Sequence, residues 1–520
     1  MKRGLSWSLL GTLIGAVGSL IVTPALVHSL GPAEFGLYIL VLTVASYSGF
    51  LDLGLTWAAT RYFAEDMAQS DHLRLSSRFY TLTRFLLGVT LLSTVLAVTA
   101  GPPLMRAVGA PGGSALPLAL LLAAISFGLT LQAQLCTSLL RAAQRFDEAG
   151  RAAVVGSVLL PIGSYAVVRL MPGLTPLLLV NASVNLVVLL LYARMSAPQL
   201  AAGARARRWQ PGLLRGMASF GGWSSASRLL MVAMLQMDRL AVALLGGVRG
   251  LTFYAVPANL GSRVNLLGSP SAGLFFARAS LLHASGDHAE LARQHSRATR
   301  LLVWSALALA LPLVTLGPDF LRVWIGTEMA SSGGPVMIVF AAAYAVISVA
   351  SLDAVTLEAC GRVDVPAKAM LFWSLPAVAA VLLFAPRYGF LAIACAVGGW
   401  LVAVGLTNMT LSRCLVLEPA PRRGLGFSLM GAVAVVLLGL LIASTLRPLV
   451  HGIPSALTAM SAVGACSLLL GFFVTLGSGE RRMVFEVVQR PFRNRQARSG
   501  SQVRASKGPQ LPLHFSDRRS

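Results

Sequence analysis

Two arginines, Arg228 and Arg263, fall near the middle of long apolar stretches. A charge at bilayer depth is costly and calls for a reason. Both are cationic, they lie in consecutive apolar segments, and those segments hold no acid at matching depth. A water-filled cavity that receives an anion explains the pair. Asn259, Ser262 and Asn265 surround Arg263, and their spacings of three and four put polar groups on one helix face. Gln132, Gln134, Asn181 and Asn185 add to a wet interior, although interhelical glue is the ordinary role of such side chains. The buried-looking acids are Asp52, with Arg61 further along; Asp353, with Glu358 just beyond; and Asp238, beside Arg239. Asp52, Arg61 and Asp353 are candidates either for cation coupling or for helix-to-helix locks. Trp57, Trp223 and Tyr254 have the shape to stack on sugar rings, but interfacial anchoring is the commoner use.

Nothing in the chain resembles bond-breaking machinery. No nucleophile stands in a pattern with a base, no metal cluster is apparent, and no cofactor is expected. The five cysteines, Cys136, Cys360, Cys395, Cys414 and Cys466, form no C-x-x-C pair and read as small buried hydrophobes.

These residues must be held by membrane helices. Hydrophobic residues make up 56% of the 520 and charged residues only 12%, with mean hydropathy +0.74. So few charges cannot clothe a water-soluble protein of this length. Apolar runs of about 20 residues recur, each long enough to span a hydrocarbon core as a helix. A β-barrel would alternate instead. The reading is an all-α integral membrane protein with about fourteen spans. Six lie at about 8–30, 36–60, 79–100, 115–140, 152–170 and 174–194. Six more lie at about 213–244, 250–277, 297–316, 335–357, 367–385 and 389–412. Two follow at about 426–446 and 453–477. The opening Met1-Lys2-Arg3 plus apolar run is too long for a signal peptide and reads as the first span.

Arginine sets the orientation. Arg74, Arg78, Arg141, Arg145, Arg151, Arg205, Arg207, Arg208, Arg293, Arg297, Arg300, Arg362, Lys368, Arg422 and Arg423 fall in one set of connections. The other set holds little more than Arg106, Arg169, Arg249, Arg322, Arg387 and Arg447. The positive-inside rule then puts both termini in the cytoplasm. It also accounts for the net charge of +23 and pI near 11.2 without nucleic acid, because the excess faces an anionic leaflet.

The chain also repeats itself. Gly-Pro-Pro-Leu-Met-Arg at Gly101 returns as Gly-Pro-Asp-Phe-Leu-Arg at Gly317, an offset of 216 residues. Tyr38 pairs with Tyr254, Asp71 with Asp287, Arg106 with Arg322 and Gly173 with Gly389. Leu30-Gly31 pairs with Leu245-Gly246 and Arg145 with Arg362, to within one residue. Each repeat holds an even number of spans, so both enter the membrane in the same direction. Their pseudo-twofold axis runs along the membrane normal, with room for a site on it. The domains expected are a first lobe and basic linker at 1–212, a second lobe at 213–415, two appended spans at 416–477 and a disordered basic tail at 478–520. Glycines at 11, 15 and 18 share one face of the first span, as close packing or a hinge requires.

The stretch HSLGPAEFGLYILVLTVASYSGFLDLGLTWAATRYFAE resembles the start of bacterial oligosaccharide flippases of the multidrug/oligosaccharidyl-lipid/polysaccharide exporter superfamily. The matching features are Leu30-Gly31, Gly36, Tyr38, Asp52-Leu53-Gly54 and Arg61. The second lobe agrees through LLGGVRGLTFYAV, ASGDHAEL, EACGRVD and GPDFLRVWIG. The resemblance covers roughly residues 5–415, and it rests on the order of these motifs, since none is specific alone. It implies two six-helix lobes that move an undecaprenyl-pyrophosphate-linked glycan to the outer leaflet of the bacterial cytoplasmic membrane. It implies that cavity arginines hold the pyrophosphate, with membrane lipids and polysaccharide polymerase or assembly proteins as partners. Arg228, Arg263, Asn259 and Asn265 are the cavity residues expected on this view. Peptidoglycan-precursor flippases of the superfamily carry charged motifs in the first two spans. Here the middle of the second reads Tyr47-Ser48-Gly49, which favours an O-antigen, capsule or exopolysaccharide unit over lipid II. The alternatives are a cation-coupled multidrug exporter of the same superfamily, whose site would expose acids, and, least favoured, a membrane glycosyltransferase or polymerase.

Overall fold

A computed structural model of the chain describes residues 2–47, 55–109, 115–201, 203, 210, 212–214, 222–266, 268–417, 422–482 and 485. Among the described residues every regular element is helical. In lipid that is the expected outcome, because each peptide group must find its partner within its own segment. The elements are α1 (Lys2–Ser46), α2 (Leu55–Ala68), α3 (His72–Thr99), α4 (Gly101–Ala107), α5 (Leu116–Ala142), α6 (Phe146–Leu170) and α7 (Leu174–Ala201). They continue with α8 (Gly222–Ser262), α9 (Gly268–Ala284), α10 (His288–Trp324), α11 (Thr327–Ala359), α12 (Asp364–Leu415), α13 (Arg422–Leu446) and α14 (Ile453–Val474).

Eleven helices are long and apolar enough to cross a membrane. Three of these run through a glycine whose backbone is not helical, Gly31, Gly247 or Gly389, and so consist of two rods. The count is therefore compatible with about fourteen spans. Leu382 and Leu383 are each 71% exposed, a surface suited to hydrocarbon and not to water. The basic tail beyond residue 485 and the linker arginines at 205, 207 and 208 lie outside the described residues.

The duplication is written in the backbone. Ten described residues have positive φ, and they fall into five pairs: Gly31 with Gly247, Ser70 with Gly286, Gly109 with Gly326, Gln144 with Gly361, and Gly173 with Gly389. Every pair is separated by 216 or 217 residues. Left-handed φ is a steric rarity outside glycine, so its recurrence marks the same breaks in two copies of one path. The structure corrects one pairing: the partner of Gly31 is Gly247, one residue beyond Gly246. Asp71 and Asp287 also match, each accepting a hydrogen bond from the backbone three residues on (Arg74 N, 2.9 Å; Glu290 N, 3.0 Å) and so capping α3 and α10.

Within the first copy α1 packs on α6, and α5 packs on α3 and α7; within the second, α10, α11 and α12 pack in sequence. Across the boundary α1 packs against α8. The pair α13–α14 rests on α10. Ion pairs tie it at both ends: Arg300 with Glu480 at one, and Arg447 with Asp319 (2.8 Å) at the other.

Candidate functional site

The contact between α1 and α8 encloses a cavity of about 210 Å3 on the boundary between the two copies. Its two sides differ in chemistry. From α1 come Ser19, Thr23 and Tyr38, with Phe35 and Leu42. From α8 and the 3-10 turn that ends it come Arg239, Asn259 and Arg263. Trp324 of α10 closes one edge, its indole N–H donating to the carbonyl of Leu20 at 3.0 Å. Among the described residues the lining carries two guanidiniums and no carboxylate.

The local sequence explains the arrangement. Asn259 and Arg263 are four apart, so one turn of helix stacks them on the same face. Arg239 belongs to the preceding rod of α8, and the break at Gly247 folds that rod back so that Arg239 Nη2 donates to Asn259 Oδ1 at 2.9 Å. The acid next to it is turned away. Asp238 is 4% exposed, and its Oδ2 accepts from the Tyr254 hydroxyl at 2.9 Å inside the second lobe. The positive charge of Arg239 therefore faces the cavity while the negative neighbour faces the protein.

Of the residues expected at the site, Arg263 and Asn259 line the cavity. Asn265 occupies the same 3-10 turn, but its side-chain oxygen lies over Gly268 and beside Ser348 instead. Arg228 lies in the first rod of α8, about 16 Å along the axis from Arg239 at a rise of about 1.5 Å per residue; its side chain is outside the described residues, as is all of Asp52. Arg61 is exposed on α2. Asp353 is fully buried away from the cavity. It lies 3.2 Å from His295 Nε2 of α10 and accepts from the Ser412 hydroxyl of α12, and so joins three helices of the second lobe.

Several polar residues prove to be glue. Asn185 Nδ2 donates to Ser126 Oγ at 2.7 Å, tying α7 to α5, and Gln132 Nε2 donates to the carbonyl of Thr83 on α3 at 3.1 Å. A buried lock absent from the sequence reading is Arg78 with Asp66, 2.8 Å apart and with side chains 4% and 0% exposed.

Sequence reasoning also missed Arg239 and Thr23 as lining residues. The signal was present: the two are 216 apart, so they hold the same position in the repeat. At that position the first copy offers a hydroxyl and the second a cation.

Residues 1–275 match a family model described as "Polysaccharide biosynthesis protein". A Shigella flexneri protein named for O-antigen transport is 22% identical over 424 residues, which cover 78% of this chain and 95% of that protein. Among solved structures, an inward-facing multidrug resistance transporter of the MATE family, in the MOP superfamily, superposes with a TM-score of 0.61 at 13% identity, covering 80% of this chain and 94% of its own. The lipid II flippase MurJ in an inward closed conformation gives 0.57 at 12% identity, covering 92% and 99%. A MOP superfamily transporter from Pyrococcus furiosus gives 0.59 at 16% identity, covering 79% and 95%. At these identities the likeness establishes the fold.

Proposed function

The chain belongs to the polysaccharide biosynthesis protein family, and from that premise we propose that it is a flippase for undecaprenyl-pyrophosphate-linked oligosaccharide units. It carries them across the bacterial cytoplasmic membrane by alternating access between its two lobes, with both termini cytoplasmic. The observation that supports this most directly is the pair Arg239 and Arg263 with Asn259, facing a cavity whose lining, among the described residues, has no carboxylate. A pyrophosphate is the part of such a substrate that hydrocarbon excludes most strongly. Two guanidiniums replace its hydration with charge-assisted hydrogen bonds in a fixed fork geometry. The hydroxyl-bearing side, Ser19, Thr23 and Tyr38, suits neutral sugars. The polyprenyl tail stays in lipid between the lobes. The relative named for O-antigen transport supports a surface-polysaccharide unit as the glycan.

The second reading, export of cationic drugs, conflicts with the same observation, since a positive lining repels a cation. The deciding experiment is export of the lipid-linked glycan in cells that carry Arg263→Ala. Surface glycan is lost while the protein stays in the membrane, and lysine restores only part of it. Normal export by Arg263→Ala at normal protein level overturns the anion site.

A further inference from the structure

The pair α13–α14 covers one face of α10, and α3 is the copy of α10 in the first repeat. On α3 the equivalent face is bare. Leu92, Val95 and Leu96 are each about half exposed. The residues 216 positions further on are Ala308, Leu311 and Pro312, and all three are buried. Their cover is close. A methyl group on Gly439 of α13 would lie 3.1 Å from Leu311, and one on Gly464 of α14 would lie 3.4 Å from the carbonyl oxygen of Ala308.

Two features set this bare face apart from an ordinary lipid-facing one. The first is charge. Arg300 of α10 pairs with Glu480, which follows α14. The residue 216 positions earlier is Arg84, so the first copy keeps the cation but has no helix pair to bring the acid. Arg84 is exposed, lies over the Tyr80 ring at 5.0 Å and pairs with no carboxylate among the described residues. The linker passes this end of α3, with Gln210 N donating to the Thr81 hydroxyl at 3.2 Å, but residues 203–221 contain no acid. The second feature is shape. Trp304 of α10 fits against Gly471 of α14, and its indole N–H donates to the Leu468 carbonyl at 2.7 Å. At the matching position α3 has Gly88, where a methyl group would meet nothing within 4 Å. The second copy carries a knob on α10 and a hollow on its cover; the first carries the hollow on α3, so a knob must come from outside.

We infer that this face of α3 docks a transmembrane helix of another membrane protein, with a bulky apolar side chain over Gly88 and a carboxylate against Arg84. The chain itself shows that the equivalent face takes a helix pair that ends in an acid. A symmetric pair of two copies through α3 would set Arg84 against Arg84, which like charges oppose. The inference needs only that the helices span a bilayer, and it holds or fails independently of the transported substrate.

The test places photoreactive benzoylphenylalanine at Leu91, in the centre of the face, and as a control at Leu383 of α12, in cells that make the full-length protein. After irradiation Leu91 gives one discrete protein adduct, identified by mass spectrometry, and Leu383 does not give it. Arg84→Glu lowers that adduct at least tenfold, and replacing the partner's acid by arginine restores it. Gly88→Trp fills the hollow with the side chain of the second copy and also lowers the adduct. It carries the test if the Arg84→Glu protein fails to accumulate in the membrane. Adducts with lipid alone at Leu91 overturn the assignment and leave the face to the bilayer. An adduct between two copies of this chain overturns it too, as does a protein adduct indifferent to both substitutions.

Discussion

A methyl group on Gly36 would lie 1.7 Å from the carbonyl oxygen of Val248. The two lobes therefore touch backbone to backbone at this point, and only glycine permits the approach. The reciprocal contact is beside it: the Thr252 hydroxyl donates to the carbonyl of Pro32 at 2.6 Å. Pro32 and Val248 are 216 residues apart, as are Gly36 and Thr252. One contact is thus the pseudo-twofold image of the other, made by the first turns after the breaks at Gly31 and Gly247. In the proposed orientation they seal the outer end of the cavity. Gly36→Val should prevent that seal and bias the lobes towards opening outside. In a cysteine-free background, Tyr38→Cys in the cavity should then be labelled from outside the cell by a membrane-impermeant thiol reagent, and glycan export should fall about tenfold or more. Unchanged labelling and export would show that the contact is not a gate.

The two cavity arginines should be separable from their scaffold. Hydrogen bonds to charged groups contribute about 1.5–3 kcal/mol, and 1.4 kcal/mol is about tenfold in affinity. Arg239→Ala should weaken binding of a lipid diphosphate by about tenfold or more, comparably to Arg263→Ala, in titrations of purified protein. Asn259→Asp should do the same by a different route, since it sets a carboxylate 2.9 Å from Arg239 and cancels its charge. A lipid monophosphate should lose less than the diphosphate in each variant. Equal losses for both ligands would remove the case for a two-phosphate site.

The repeat was legible in the sequence because loop landmarks survive where apolar helices drift. Asp71 and Asp287 cap equivalent helices, and Gly173 and Gly389 break equivalent paths, so each must keep its residue type for a local physical reason. The cavity was only half legible. Arg263 and Asn259 declare themselves by a spacing of four on one rod, whereas Arg239 reaches them only because the chain folds back at Gly247. Asp238 and Arg239 are neighbours in sequence and face opposite ways, which hydropathy cannot reveal. Asn265 had the right spacing but sits in a 3-10 turn, where three residues per turn, not 3.6, rotate it towards Gly268.

Orientation yields a direct expectation. Arg322 lies near the end of α10 with half its side chain exposed, beside Asp319 at 3.4 Å. Arg297 lies near the other end of the same helix. A cysteine at 322 should react with an impermeant reagent added to intact cells, and one at 297 only after the cells are opened. The reverse pattern would invert the whole topology and place the Gly36 contact on the cytoplasmic side.

Asp353 separates a lock from a coupling site. It is fully buried, and its contacts, His295 of α10 and Ser412 of α12, belong to the same lobe. None of these three residues is among the described lining of the cavity. A group that holds helices together should fail in stability, whereas a group that carries a coupling ion should fail in turnover. Asp353→Leu removes the carboxylate beside His295 and one acceptor of the Ser412 hydroxyl, which keeps the Met409 carbonyl at 3.2 Å, at a cost of about 0.5–3 kcal/mol. The variant should melt at lower temperature and accumulate less in the membrane. Transport per folded molecule should stay close to wild type, because Arg239, Asn259 and Arg263 are untouched. Asp353→Asn keeps an oxygen for Ser412, so its loss of stability should be the smaller of the two. A variant that folds and melts like wild type but no longer moves glycan would assign Asp353 to the driving ion instead.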